Sequence, residues 1–158
     1  MKESIGESWT IQLVAAFVLL FVAFLSLMIA YSRCFKVKNE VVSIIEKYET
    51  LEKSKSIISD YMDAAGYTGT GTCRENSEGG ITYVKTLCLG NNGEFALVTG
   101  NRTGCRACIE QQNDNNNHVT VYRVSLFYNF NIPAFGRLAT FEVTGKTIDL
   151  KYVKQLGF

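Results

Sequence analysis

Cys105-Arg106-Ala107-Cys108 is the sharpest chemical motif in this chain. A Cys-x-x-Cys pair can exchange disulfides when one thiolate is stabilised, as at the start of a helix. Cys73 and Cys88 complete an even set of four in the C-terminal part. Four thiols also suit zinc, but structural zinc sites commonly use two paired knuckles, whereas Cys73 and Cys88 each stand alone. A redox Cys-x-x-Cys usually opens a helix after a strand. Phe95-Ala96-Leu97-Val98-Thr99 reads as such a strand, yet Ile109-Glu110-Gln111-Gln112-Asn113 shows no repeated apolar face, and no aromatic immediately precedes Cys105. Structural disulfides are therefore the expectation for Cys73, Cys88, Cys105 and Cys108, with the three possible pairings open. No metal and no cofactor is expected.

The other candidate groups are sparse. His118 is the only histidine and reads as the start of a strand. A serine triad or a histidine-rich metal centre has no support. Asp60, Asp63 and Glu110 are scattered, and acid–base catalysis needs two placed groups with shifted pKa values. Gly69-Thr70-Gly71 lacks the lysine and following helix of a phosphate loop. Asn101-Arg102-Thr103 is a glycosylation sequon, short enough to arise by chance. Cys34 beside the anchor reads first as a chance occurrence without a role, with a free thiol, palmitoylation site or dimer contact as the alternatives.

These residues are carried by a chain with one dominant feature. No charge occurs between Glu7 and Arg33. Trp9 to Tyr31 is a run of about 23 residues, roughly 34 Å as a helix, against a hydrocarbon core of about 30 Å. Trp9 and Tyr31 sit at its ends, where amphipathic rings favour the interface. The start is not clearly basic, the run is too long for a signal peptide, and Ala30-Tyr31-Ser32 offers no small-x-small cleavage site. A retained transmembrane anchor follows. Arg33, Lys36 and Lys38 flank it and argue for a cytoplasmic C-terminal part. The cysteines argue for an oxidising compartment. The reading taken is a short inner N-terminus and an outer C-terminal domain, with the lipid bilayer as a partner.

The formal charge of +1 gives no global field for nucleic acid, and none is expected as a partner. Four segments result: a tail at 1–8, a transmembrane helix at 9–31, a juxtamembrane helical segment at 32–65 and a β-rich domain at 66–158. Val41, Ile45 and Tyr48, widened by Val42 and Ile44, form a helical stripe that continues the anchor. Ser54-Lys55-Ser56 reads as a break, with Ser56 capping a second helix through Ala65 and Gly66 stopping it. Ile81–Leu89 and Phe95–Thr99, joined by Asn91-Asn92-Gly93, read as a hairpin. Asn113–Asn117 reads as an exposed loop. His118–Ile132 is the longest strand signal, with Tyr122, Val124, Leu126, Tyr128 and Phe130 alternating onto one face. Pro133–Gly136 connects it to a strand at Leu138–Thr144, continued to Tyr152 past a bulge at Gly145. The fold class expected is α+β: a long N-terminal transmembrane helix continuing into an amphipathic helix, packed on a small antiparallel sheet of about four strands.

This layout resembles pilins and pseudopilins. Gly6-Glu7-Ser8-Trp9-Thr10-Ile11-Gln12-Leu13 looks like the "G…T-V-E-F" start of TadE-like minor pseudopilins of the tight-adherence pilus system. Val121–Tyr128, then Ile132-Pro133, then Phe141–Thr147 are similar to the last strands of that group. The family's glutamate near the start of the apolar helix is replaced here by Gln12, six residues after Gly6. The resemblance implies a membrane-anchored structural subunit of a pilus or secretion-type envelope assembly, without catalysis, partnered by other pseudopilin-like subunits or pilus assembly machinery. Gln12 together with Ala16, Ala23 and Ala30, small residues at a seven-residue interval, are the candidates for helix–helix assembly. The alternatives are a membrane-tethered thiol-disulfide oxidoreductase using Cys105 and Cys108, and an adhesive or ligand-binding ectodomain.

Overall fold

A computed structural model describes residues 3–75, 83–114, 119–132 and 136–151. α1 (Glu3–Tyr48) is one unbroken helix of 46 residues, about 69 Å long at 1.5 Å per residue. Its two halves differ in what covers them. The apolar half is long and apolar enough to cross a membrane, and none of its most apolar stretch is buried. Leu13, Phe17, Leu20 and Phe24 are all more than half or about half exposed, so the bare surface runs round the helix. From Cys34 onward one face disappears into a core: Cys34, Val37, Lys38, Val41, Ile44 and Ile45 are buried at spacings of three and four. Tyr48 lies outside it, exposed.

The helical break falls earlier than Ser54–Ser56. Glu49 adopts a left-handed conformation at φ 56°, and α2 (Leu51–Ala64) starts two residues later behind Thr50, which makes no side-chain cap. Leu51, Ser54, Ile58 and Met62 form its buried face, so the first turn must be helical for Leu51 to reach the core. Ser54 is part of that face. Its hydroxyl donates to the carbonyl oxygens of Thr50 at 3.1 Å and Leu51 at 3.0 Å, which satisfies it without leaving the helix. Gly66, at φ 61°, ends α2 as expected.

Eight strands occur among the described residues, in two sheets: β1 (Gly71–Arg74), β2 (Tyr83–Leu89), β3 (Phe95–Leu97), β4 (Asn101–Cys105), β5 (Ala107–Asp114), β6 (Val119–Ile132), β7 (Gly136–Lys146) and β8 (Leu150–Lys151). Six form an antiparallel sheet in the order β3-β2-β5-β6-β7, with β8 also on β6. β1 and β4 form a separate pair. The β2–β3 hairpin matches expectation, its Ile81 end lying outside the described residues. The expected count of four is too low because the segment after Gly100 is regular. Asn113 and Asp114 belong to β5, not a loop, and pair with Thr120 and Val119. β7 runs through Gly145 without a bulge. The register shift lies instead at Phe130/Asn131. β8 is a separate strand beside the start of β6, on the edge that β7 leaves free. His118, Asn115–Asn117, Pro133–Phe135 and Tyr152 lie outside the described residues.

The result has three layers. Val41 and Ile45 of α1 and Ile58 and Met62 of α2 pack on Leu87, Leu89, Ile109, Val124 and Leu126 of the large sheet. Each such fully buried side chain contributes about 1.5–3 kcal/mol relative to exposure. Of the five residues expected to alternate onto one face, Tyr122, Val124, Leu126 and Tyr128 are buried against the helices, and the side chain of Phe130 lies outside the described ones. The opposite face is not simply solvated. Ser125 and Phe127 are buried there too, and Phe127 joins the four paired cysteines and Val98 in a second cluster beneath β1 and β4.

Candidate functional site

The four cysteines form the densest chemical cluster. Cys88 of β2 and Cys108 of β5 are direct cross-strand neighbours. Cys73 lies on β1 and Cys105 ends β4, in the smaller sheet. At Arg106 the chain passes from the small sheet to the large one, and the Arg106 N–H donates to the Leu89 carbonyl at 2.7 Å. The Cys-x-x-Cys motif therefore straddles two layers. Its thiols do not pair with each other: the bridges are Cys73–Cys108 and Cys88–Cys105. Both motif cysteines are buried, Cys105 fully. The sulfurs of Cys73, Cys88 and Cys105 lie within 4.8 Å of one another. Zinc takes thiolates, and sulfurs engaged in disulfides have none to offer, so a metal would require reduction first.

The inner residues of the motif do structural work that spacing alone did not reveal. Arg106 is buried, and its Nη1 donates to Asp63 Oδ1 at 2.6 Å, tying the crossover to the last turn of α2. Asp63, expected only as a scattered carboxylate, is the exposed member of this pair. Asp60 is exposed on the same helix. Glu110 is buried on β5 across from Arg123 of β6, with Glu110 Oε2 at 3.8 Å from Arg123 Nη1. Asp60 and Asp63 belong to the helical layer, whereas Glu110 lines a groove beside β1, so these carboxylates form no common site.

Gly69 and Gly71 have a steric role. A Cβ on Gly69 would strike the Phe127 carbonyl, and one on Gly71 the Phe127 ring. Only glycine lets the chain leaving α2 cross β6 this closely. Between the crossing and α1, the Tyr67 hydroxyl donates to the Phe127 carbonyl oxygen. Its oxygen lies 3.6 Å from Cys34 Sγ. Burial pushes the Tyr67 hydroxyl pKa well up, with the adjoining Cys34 adding to it. Burial also raises the Cys34 thiol, only partly opposed by its contact with Tyr67 and the charge of Lys38. Cys34 is 1% exposed and belongs to the core. This burial supports the free-thiol reading over palmitoylation or a dimer contact.

The assembly candidates divide along the anchor. Ala16 is exposed, and so is Gln12. Ala23 and Ala30 are half covered, as is Leu27, while every other residue from Trp9 to Tyr31 is exposed. Ala30 packs against the core of the chain's own domain. Asn101, Arg102 and Thr103 lie exposed on β4, so the sequon is accessible.

Two grooves accompany these features. One, of about 820 Å³, runs along α1 from Val22 to Val37 and is closed by Tyr67, Tyr128 and Asn129. The other, of about 630 Å³, is polar and lies between β1 and the outer face of β5–β7, with Arg74, Glu110, Arg123 and Glu142 in its wall. The whole defines a class: an α+β domain of three layers, bridged by two disulfides and borne on a helix that fits a membrane anchor. No protein-family model, no curated protein and no solved structure matches the chain.

Proposed function

We propose that this protein is a single-pass membrane subunit of pseudopilin-like type, structural in role, whose disulfide-bridged domain lies outside the cytoplasm. The observation that carries this reading is the division of α1: a bare apolar half, and a continuous second half that serves as the spine of an antiparallel sheet. An apolar helix exposed on all sides requires lipid or other helices around it. Two buried disulfides suit an oxidising compartment. The start Gly6–Leu13 and the final strands supply the resemblance to TadE-like minor pseudopilins. The catalytic redox alternative is less well supported, because Cys105 and Cys108 are held in different bridges and are both buried. An adhesive or ligand-binding domain remains the second reading, favoured by the polar groove around Arg74, Glu110 and Arg123.

Photo-crosslinking tests the assembly. A photoreactive amino acid at Ala16, on the exposed anchor, should give discrete adducts with other single-span subunits in native membranes. Gln12→Leu should lower their yield several-fold. Lipid adducts alone would overturn the assembly reading.

A further inference from the structure

We infer that the groove along α1 binds one anionic phospholipid, its phosphate held between Arg33 and Lys36 and an acyl chain descending past Ile29 and Leu25 to Val22. This rests on the anchor reading and adds to it a lipid chosen by its headgroup.

One stripe of α1 carries the site. Val22, Leu25, Ile29, Arg33 and Lys36 follow one another at spacings of three and four, and all line the same groove. The stripe is apolar through Ile29 and cationic from Arg33, so it changes character where the uncharged run ends. From Val22 to Arg33 is about 16 Å along the helix. Half of a hydrocarbon core of about 30 Å is about 15 Å. The apolar part of the groove therefore matches one leaflet, with the two cations at its headgroup end. The domain closes that end. The Tyr67 hydroxyl oxygen lies 3.6 Å from Cys34 Sγ, and Tyr128 meets Tyr31 with ring centroids 6.2 Å apart, so both walls stand beside Arg33. Thr68 and Asn129 bring polar side chains to the same wall.

Charge selects the occupant. Among the described residues lining the groove, none is Asp or Glu. Arg33 and Lys36 are exposed, and neither takes part in an ion pair among the described residues. Lys38, the third cation of the flank, is committed elsewhere. It is buried against Gly145, with its Nζ 4.2 Å from the Phe35 ring centroid. The basic flank that argues for a cytoplasmic domain thus divides into one residue packed in the domain and two that face the groove. Arginine grips a phosphate through two parallel N–H···O bonds, and lysine adds a point charge. A basic pocket beside a transmembrane helix suits an anionic headgroup. A soluble anion would leave the apolar stripe uncovered. Phosphatidylcholine would set its own cation beside the two already present, which like charges oppose.

Native mass spectrometry of the full chain tests this, in neutral detergent with equal amounts of phosphatidylglycerol and phosphatidylcholine. The wild type should retain one phosphatidylglycerol, favoured about ten-fold over phosphatidylcholine. Arg33→Gln/Lys36→Gln should remove the preference. Both side chains are exposed, so the core is untouched. Ser26→Trp keeps both cations but fills the path of the acyl chain, since Ser26 is an exposed lining residue. It should lose the retained lipid as well. Lys53→Gln, at an exposed cation of α2, should behave as the wild type. Retention of phosphatidylglycerol by Ser26→Trp would mean that charge alone gathers the lipid, and would overturn the site. Equal retention of the two lipids would overturn it too. So would displacement of the lipid by excess glycerol phosphate, which would make this a soluble-anion site. Each of these results leaves the anchor standing. The anchor itself fails if the wild-type chain stays in solution as a monomer once detergent and lipid are withdrawn.

Discussion

Removing the two bridges separately tests the pairing on which the three-layer fold depends. The bridges are nested, Cys88–Cys105 closing 17 residues inside the 35 closed by Cys73–Cys108. Chain entropy alone gives about 3.1 kcal/mol for the inner loop and about 3.8 kcal/mol for the outer loop formed by itself. With the inner bridge closed, the outer loop has an effective length of about 18 residues and contributes about 3.2 kcal/mol. Cys73→Ala/Cys108→Ala should therefore cost about 3.2 kcal/mol, Cys88→Ala/Cys105→Ala about 2.5 kcal/mol, and all four together about 6 kcal/mol. The assay is urea unfolding of the full chain in nanodiscs, followed by near-ultraviolet circular dichroism, with non-reducing peptide mapping of the wild type. The reasoning fails if mapping recovers a Cys105–Cys108 bridge. It fails equally if either paired variant costs less than about 1 kcal/mol, since restriction of the unfolded chain would then be contributing almost nothing.

Cys34 should resist N-ethylmaleimide in the native protein and label fully in urea, read by intact mass; rapid native labelling would contradict its place in the core. Tyr67→Phe removes the hydroxyl that meets the Phe127 carbonyl and should cost about 0.5–1.5 kcal/mol, the net worth of one hydrogen bond. The Tyr67 pKa is raised in the fold, so its contribution is fully present below the unfolded value of about 10 and is lost as pH rises above it. Between pH 8 and 11 the wild-type urea midpoint should fall, and the Tyr67→Phe midpoint should fall less. Equal slopes would refute the linkage. Burial of Tyr122 and Tyr128 raises those hydroxyls too, so the variant retains some alkaline sensitivity.

The parts legible in the sequence are those where one physical signal dominates. The uncharged run before Arg33 and the Val41–Ile45 stripe specify one long helix, and the alternation Tyr122–Tyr128 specifies the central strand. Asn91-Asn92-Gly93 gives its hairpin through turn chemistry. The α1–α2 break was hidden because Glu49, an ordinary helix former, takes the left-handed turn, while Ser54 and Ser56 look like breakers and are helical. β5 was hidden because it is covered on both faces. Ala107 and Ile109 face the helices, whereas Cys108 and Glu110 meet a disulfide and an arginine, so polar and apolar residues no longer separate into wet and dry. The disulfide set was legible, but its nested pairing was not, because pairing depends on β4 and β5 lying in different sheets. Arg106–Asp63 was equally out of reach, since it joins residues 43 apart.

Topology in the living cell is the most direct measure of the proposed account. Thr50→Cys places an exposed thiol at the α1–α2 turn, with Cys34 buried and the other four cysteines bridged. A membrane-impermeant maleimide applied to intact cells should label Thr50→Cys, whereas Glu3→Cys should label only after permeabilisation. The reverse pattern would place the bridged domain in the cytoplasm and contradict the envelope role.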